Sequence, residues 1–307
     1  QKKKDYLENL YGYGKSMNSG IFFYSPFTGI HDTAYGKASV RLNKDNNITS
    51  EVIINIKDLN YKIKNDFHDF EKVLLVSHQS FNCDEVEKFG DNVYFYGAMT
   101  LNKNVILDFL VSKGIPVTPY VYQPKDKGEI FEKLGERVVI KPNEYTSYRG
   151  HLIKEISYND CPDNLNRWLF TKFSGKSDFP RVFRRVSCLF GESIFYYEAH
   201  HNKEHSWFNN CNSDVVNGNT KDATFEKMNC KNTMKVAKKV SILMSEYFGC
   251  GMVGCDFIVD DKDDVFLCEV NTGVVSIVNM NRLEELDDRI NCGKSIYKSC
   301  MDILNVS

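Results

Sequence analysis

The stretch GCDFIVDDKDDVFLCEVNTG, from Gly254 to Gly273, constrains the fold most, because its polar residues contradict its apolar setting. Two runs rich in β-branched and aromatic residues flank Asp260 to Asp264, a cluster of turn formers, so the stretch reads as a β-hairpin. With Asp260 paired to Val265 across a four-residue loop, Asp256 falls opposite Glu269, and Asn271 lies two residues on along the same face. Facing carboxylates repel, and burying them is costly unless a cation takes oxygen from both. Asp, Glu and Asn offer only oxygen ligands, a set that suits Mg²⁺ or Mn²⁺ sharing its shell with nucleotide phosphates. The alternative is a solvated hairpin with an acidic outer face. Against it, Cys268 and Val270 alternate with Glu269 and Asn271, so the polar residues share one face, and no Lys or Arg of the hairpin strands shares it.

At 307 residues and 42% hydrophobic content the chain can bury a sizeable core and form two or three subdomains. Its formal charge of −2 is nearly balanced, which argues against nucleic acid or an anionic membrane as main partner. The ten cysteines form no CxxC pair, and Cys188, Cys255 and Cys268 sit in apolar strand-like runs. They read as reduced core residues of a cytoplasmic protein. No apolar run is long enough to span a membrane, and the start QKKKDYLENLYGYGKS lacks the apolar region of a signal peptide.

Residues 1–97 read as a small N-terminal α/β domain, with VIINI and KVLLVSH as buried parallel strands. The isolated His31, His68 and His78 read as ordinary surface or core residues, and no glycine-rich dinucleotide fingerprint is present. Next, YFYGAMTLNKNVILDFLVSKGIPVTPYVY reads as strand, helix and strand. Thr100 or Asn102 caps the helix, Val105, Ile106, Phe109 and Leu110 form its buried stripe, and Gly114 ends it. Lys103 then lies in the first turn, where it opposes the helix dipole unless an anion is near.

Lys141 closes the apolar strand Val138 to Ile140, and Pro142 stops the ladder. A lysine so placed needs an anion, and phosphate is the obvious one. Trp168 and Phe170 read as packing residues of a strand ending near Lys172. In FPRVFRRVSCLFGESIFYYEAHH, alternation lets only one of the adjacent Arg184 and Arg185 face inward, with Arg181 a third candidate on the same strand. An amphipathic helix is expected from Asp222 to Phe248, with Ala237, Val240, Met244 and Tyr247 as its core stripe, and a final helix from Gly293 to Leu304.

Taken together, Lys103, Lys141, an arginine strand, and Asp256 with Glu269 and Asn271 stand in an order that resembles the ATP-grasp superfamily over roughly Tyr94 to Asn281. Within it the chain looks like the branch containing ribosomal-protein glutamate ligase, glutathione synthetase and the ligases that cross-link ribosomal peptides. The resemblance implies an α/β (α+β) fold in which two lobes, residues 98–170 and 171–307, clasp ATP. It carries over Lys103 as a contact to ATP, with Asn102 where Asp is usual. Residues 144–150 become a mobile loop over the triphosphate, offering Thr146 and Ser147 but Tyr148 where glycine is common. Thr171, Lys172 and Phe173 become a hinge meeting adenine through backbone groups. Asn209 or Asn210 becomes a polar anchor before the hairpin, and Ser276 or Asn279 approaches the substrate. His200 and His201 stand where many relatives carry a further arginine.

The activity implied is that of an ATP- and Mg²⁺-dependent carboxylate–amine ligase, in which ATP phosphorylates a carboxylate and an amine attacks the acyl phosphate. Arg185, or Arg184, would stabilise the oxyanion, while the lysines and metal neutralise the phosphoryl group. The partners implied are small-molecule or peptide carboxylates and amines, with homo-oligomerisation left open. Two alternatives stand beside it: an ATP-grasp kinase acting on a hydroxyl, and an inactive nucleotide-binding module.

Overall fold

A computed structural model of the chain describes residues 18–26, 30–46, 48–77, 85–144, 153–202, 223–272 and 280–306. Its first strand, β1 (Ser19–Tyr24, SGIFFY), is buried along its whole length, as a strand covered on both faces must be. It is flanked in parallel by β2 (Thr49–Ile53) and β3 (Lys72–Ser77), and β4 (Val93–Tyr96) completes the order β2-β1-β3-β4. Parallel neighbours need crossovers, supplied by α1 (Ile30–Asn46) and α2 (Ile56–Asn65). The VIINI run therefore divides: its first two residues end β2, while Asn55 caps α2 by accepting from the Asp58 amide.

A central antiparallel sheet in the order β5-β8-β6-β7 follows, from β5 (Tyr120–Tyr122), β6 (Val138–Pro142), β7 (Lys154–Ile156) and β8 (Trp168–Lys172). Before it stands α3 (Lys103–Ser112). Its buried residues are Ile106, Leu107 and Leu110, while Val105 is exposed, so the expected stripe is rotated by part of a turn. Helix α4 (Lys127–Leu134) buries Ile130 and Leu134 against this sheet together with Val121, Val138, Ile140 and Phe170.

The third sheet is antiparallel, in the order β11-β10-β9-β12-β13. Strands β9 (Arg181–Leu189) and β10 (Glu192–His201) meet at Phe190 and Gly191, both at positive φ, which matches a tight hairpin turn. A Cβ at Gly191 would also meet the Ile242 side chain at 2.7 Å. Strand β11 (Ala223–Glu226) occupies the start of the expected helix, so α5 begins only at Lys231 and runs to Phe248. It buries Ala237, Val240 and Met244 as expected, but Tyr247 is exposed and lies against Phe109 and Lys113. Strands β12 (Met252–Val259) and β13 (Val265–Thr272) form the hairpin.

Alternation divides β9 and β12 between two cores. Val186, Cys188, Val253, Cys255 and Phe257 pack on α5 and α3, whereas Phe183, Leu189 and Met252 join Ile21, Phe23, Leu74 and Val76 of the parallel sheet. The terminal helix pair α6 (Met280–Leu286) and α7 (Cys292–Val306) closes this second core, with Ile296, Cys300 and Leu304 beside Tyr35, Ala38 and Leu42 of α1. Thus the last helix of the chain packs against the first.

Candidate active site

The hairpin places Asp256 opposite Glu269, by a route that local pattern does not disclose. Val259, not Asp260, pairs with Val265, and the turn has five residues, 260–264. Asp260 Oδ1 accepts from the amides of Lys262 and Asp264 at 2.8 Å, and Asp263 takes a positive φ. That register alone would pair Asp256 with Cys268. A β-bulge between Asp256 and Phe257 leaves Cys268 without a register partner and moves Glu269 into place.

Two partners hold Asp256, and they come from different strands. Arg185 on β9 is its register partner across β9 and β12, and donates from Nε and Nη2 to Oδ1 and Oδ2, each at 2.6 Å. Asn271 Nδ2 donates to Oδ2 at 3.0 Å. Arg185 and Asp256 are both buried. Burial holds the Asp256 carboxyl above the ordinary carboxylate range; Arg185 pulls it back, the Glu269 charge adds to the rise, and Asn271 opposes it. A guanidinium from the next strand thus relieves part of the repulsion between the carboxylates before any ion is bound. This corrects the expectation that only a divalent ion relieves their repulsion.

Lys103 and Lys141 arrive from outside the hairpin. Lys141 is buried at the end of β6, and its Nζ donates at 2.5 Å to the carbonyl of Cys268, the bulged residue. Lys103 Nζ lies 3.6 Å from Glu269 Oε1 and donates to the Glu144 carbonyl at 3.0 Å. Burial pulls its pKa below the ordinary lysine value, Glu269 opposes this, and Lys141 adds to it. The helix start that carries Lys103 is capped from afar. The Asn102 side chain makes no cap bond; instead Asn143 accepts from the Lys103 amide with its carbonyl and from the Asn104 amide with Oδ1. Asn143 thus ties the two lysine-bearing elements together. Sequence reasoning missed it, since an Asn after Lys-Pro carries no local sign of a distant helix.

The remaining candidates fall differently. Thr171 is buried and donates to the Val139 carbonyl, and the amides of Lys172 and Phe173 donate to the carbonyls of Pro119 and Arg137. Neither of those two amides is open to an adenine. The Phe173 ring stacks between Arg137 and Arg181 and forms a small apolar cluster with Val139 and Ile258, next to Lys141 between the two sheets. Arg184 points to the opposite sheet face, where Nε meets Glu198 at 2.6 Å. His200 is on that face too, bound to Glu198, whereas His201 shares the Arg185 face and is buried. Thr146, Ser147, Tyr148, Asn209, Asn210, Ser276 and Asn279 lie outside the described residues. Burial raises the Cys268 thiol to about 12, so a thiolate beside Lys141 is not available as a nucleophile.

The donor set fits a hard divalent ion. Asp256 keeps lone-pair capacity beyond its three hydrogen bonds, Glu269 is held only at 3.6 Å, and the amide of Asn271 that donates to Asp256 leaves its carbonyl oxygen as a ligand.

Among solved structures the chain is similar to the D-alanine–D-alanine ligase from Bacillus anthracis, with 15% identity, a TM-score of 0.52, and coverage of 94% of this chain and 98% of that one. It is similar also to the ATP-grasp ligase PsnB complexed with a phosphomimetic variant of its minimal precursor, Mg and ADP, at 11% identity and a TM-score of 0.55, covering 93% and 98%. D-cycloserine synthetase DcsG matches at 12% identity and a TM-score of 0.54, covering 91% and 99%. No family model and no curated protein matches the sequence. At such identities the likeness is one of fold, and the fold is that of the ATP-grasp proteins.

Proposed function

We propose that the chain is an ATP-dependent carboxylate–amine ligase. The observation that carries this reading is the convergence of Lys103, Lys141, Arg185, Asp256, Glu269 and Asn271, drawn from two sheets and a helix, on one face of the β12–β13 hairpin. Lys141 and Lys103 would hold the phosphates. Asp256, Glu269 and Asn271 would hold Mg²⁺ or Mn²⁺, which supplies charge neutralisation across the triphosphate.

The chemistry runs in two displacements. A substrate carboxylate oxygen attacks the γ-phosphorus, and the bond to the bridging oxygen breaks to release ADP. An amine nitrogen then adds to the acyl carbon, its proton is lost, and the C–O bond to phosphate breaks. Arg185, oriented by its fork to Asp256, would donate a hydrogen bond to the oxyanion of that second step. The acceptors are small-molecule or peptide carboxylates and amines.

The test is ADP release with hydroxylamine in place of the amine. A ligase of this kind yields a hydroxamate from the trapped acyl phosphate. ADP formation without hydroxamate, across amino-acid and peptide carboxylates, would point to phosphoryl transfer to a hydroxyl instead.

A further inference from the structure

On the other face of the same sheet, away from Arg185 and Asp256, we propose a second metal site, built by Glu198 and His200 of β10 and Glu226 of β11 for a divalent transition ion such as Zn²⁺. It does not rest on the ligase reading. Glu198 and Glu226 stand directly opposite each other across the antiparallel pair, an arrangement of like charges that weakens an edge strand. His200 projects from the same face two residues on, with Nε2 at 2.7 Å from Glu198 Oε1 and 3.7 Å from Glu226 Oε2. The three ligand atoms lie within 4.8 Å of one another, and no other trio of this kind occurs among the described residues.

The geometry needs little adjustment. Ligand bonds of ~2.1 Å in a tetrahedron place neighbouring donors ~3.4 Å apart, between the two distances observed. Arg184 donates to Glu198 Oε2 at 2.6 Å and so turns Oε1 toward the imidazole. A guanidinium behind a ligating carboxylate is an orienting partner of the kind such sites use. One imidazole nitrogen with two carboxylate oxygens favours a borderline ion over Mg²⁺, whose preferred ligands are all oxygen. Since Arg184 also reaches Thr233 Oγ1 at 3.4 Å, a bound ion would fasten edge strand β11 to β10, and through Arg184 to β9 and the start of α5.

The ion would therefore act as a staple at the sheet edge. Titrating Co²⁺ into the full chain, previously stripped with chelator, should give the strong visible d–d absorption of a four-coordinate ion, distinct from the weak absorption of a six-coordinate all-oxygen site such as that of Asp256 and Glu269; the strong bands should saturate near one equivalent, and Zn²⁺ should displace them. His200→Ala and Glu226→Gln should each lose these bands or weaken binding at least ~10-fold, while Glu269→Gln, on the other face, should keep them. Glu226 is exposed, so its substitution tests the site even if the histidine variant fails to fold. Absence of the bands in wild type, or their survival in both cluster variants, would overturn the proposal and leave the trio as a hydrogen-bonded cluster.

Discussion

Arg184 and Arg185 are adjacent in sequence and each meets a carboxylate at 2.6 Å, yet they serve opposite faces of one sheet. Arg185 and Asp256 keep only 4% and 6% of their side-chain surface, against 13% and 15% for Arg184 and Glu198. The first pair is a fork buried on one face of the sheet. The second sits at a partly open edge beside His200 and Glu226, where water can replace a missing partner. Burial, more than the ion pair itself, decides what each arginine is worth.

The sharpest break of that contrast is a pair of truncations. Arg185→Ala strands Asp256 as an unpaired buried charge, and should lower stability by ~3–5 kcal/mol. Arg184→Ala should cost roughly 1 kcal/mol. Equal losses in urea unfolding would show that burial is not the difference. In the same register, Arg185→Lys keeps the charge but loses the fork, so kcat should fall by a larger factor than KM for ATP rises.

Lys141→Ala comes next. It removes a buried cation from the phosphate position, with an expected affinity loss of ~2–5 kcal/mol for an ATP analogue by calorimetry. It also orphans the Cys268 carbonyl, so a stability loss of ~1 kcal/mol should accompany it. Unchanged nucleotide affinity would separate this face from nucleotide binding altogether.

Glu269→Gln should abolish the rise in melting temperature given by Mg²⁺ with a non-hydrolysable ATP analogue, since the ion loses a ligand. Arg185 already neutralises Asp256, so the unliganded variant should melt close to wild type, giving up no more than the long ion pair between Glu269 and Lys103. A full ligand-dependent shift in the variant would remove the metal from this face.

Lys103 offers a smaller, pH-dependent reading. Its folded pKa lies below the ordinary 10.5, so between those two values the unfolded chain binds more protons, and the residue's contribution to stability rises with pH there. A phosphate beside it reverses the shift, so nucleotide binding in that alkaline window should take up protons. Calorimetry in buffers of different ionisation heat should show this uptake, and Lys103→Met should abolish it. Smallest of all is a labelling difference. Burial pushes Cys230 up, but hydrogen bonds from Thr233 and the nearby Arg184 bring its pKa below the usual thiol range, whereas Cys188, Cys250 and Cys268 are raised to about 12. Among the described cysteines, iodoacetamide should therefore modify Cys230 first, as peptide mass mapping would read.

Short-range features were legible because they depend on neighbours in the chain. Period-two alternation put Asp256, Glu269 and Asn271 on one face, and an apolar run closed by Lys141 marked the end of β6. The helix over residues 231–248 was legible for the same reason. Its expected start at Asp222 failed because Ala223–Glu226 pairs with β10, a preference that exists only once β10 is in place. The stripe of α3 includes Leu107 rather than Val105, because the buried face is set by the elements that pack on it, which the local pattern does not name.

By itself, then, the sequence determined the cores of most strands and helices, the polar face of the hairpin and the choice of side chains offered to a nucleotide. Tertiary structure decided which of those side chains meet. Strand order sets β9 beside β12 and brings Arg185 onto Asp256 across 71 residues, so the carboxylate pair is relieved by a guanidinium that no local pattern announces. The bulge at Cys268 restores the Asp256–Glu269 register and leaves a carbonyl for Lys141. The physical reason is range. Backbone propensity and alternation act over a few residues, whereas neutralising a buried charge or filling an orphaned acceptor requires a partner whose position exists only after the sheets have assembled.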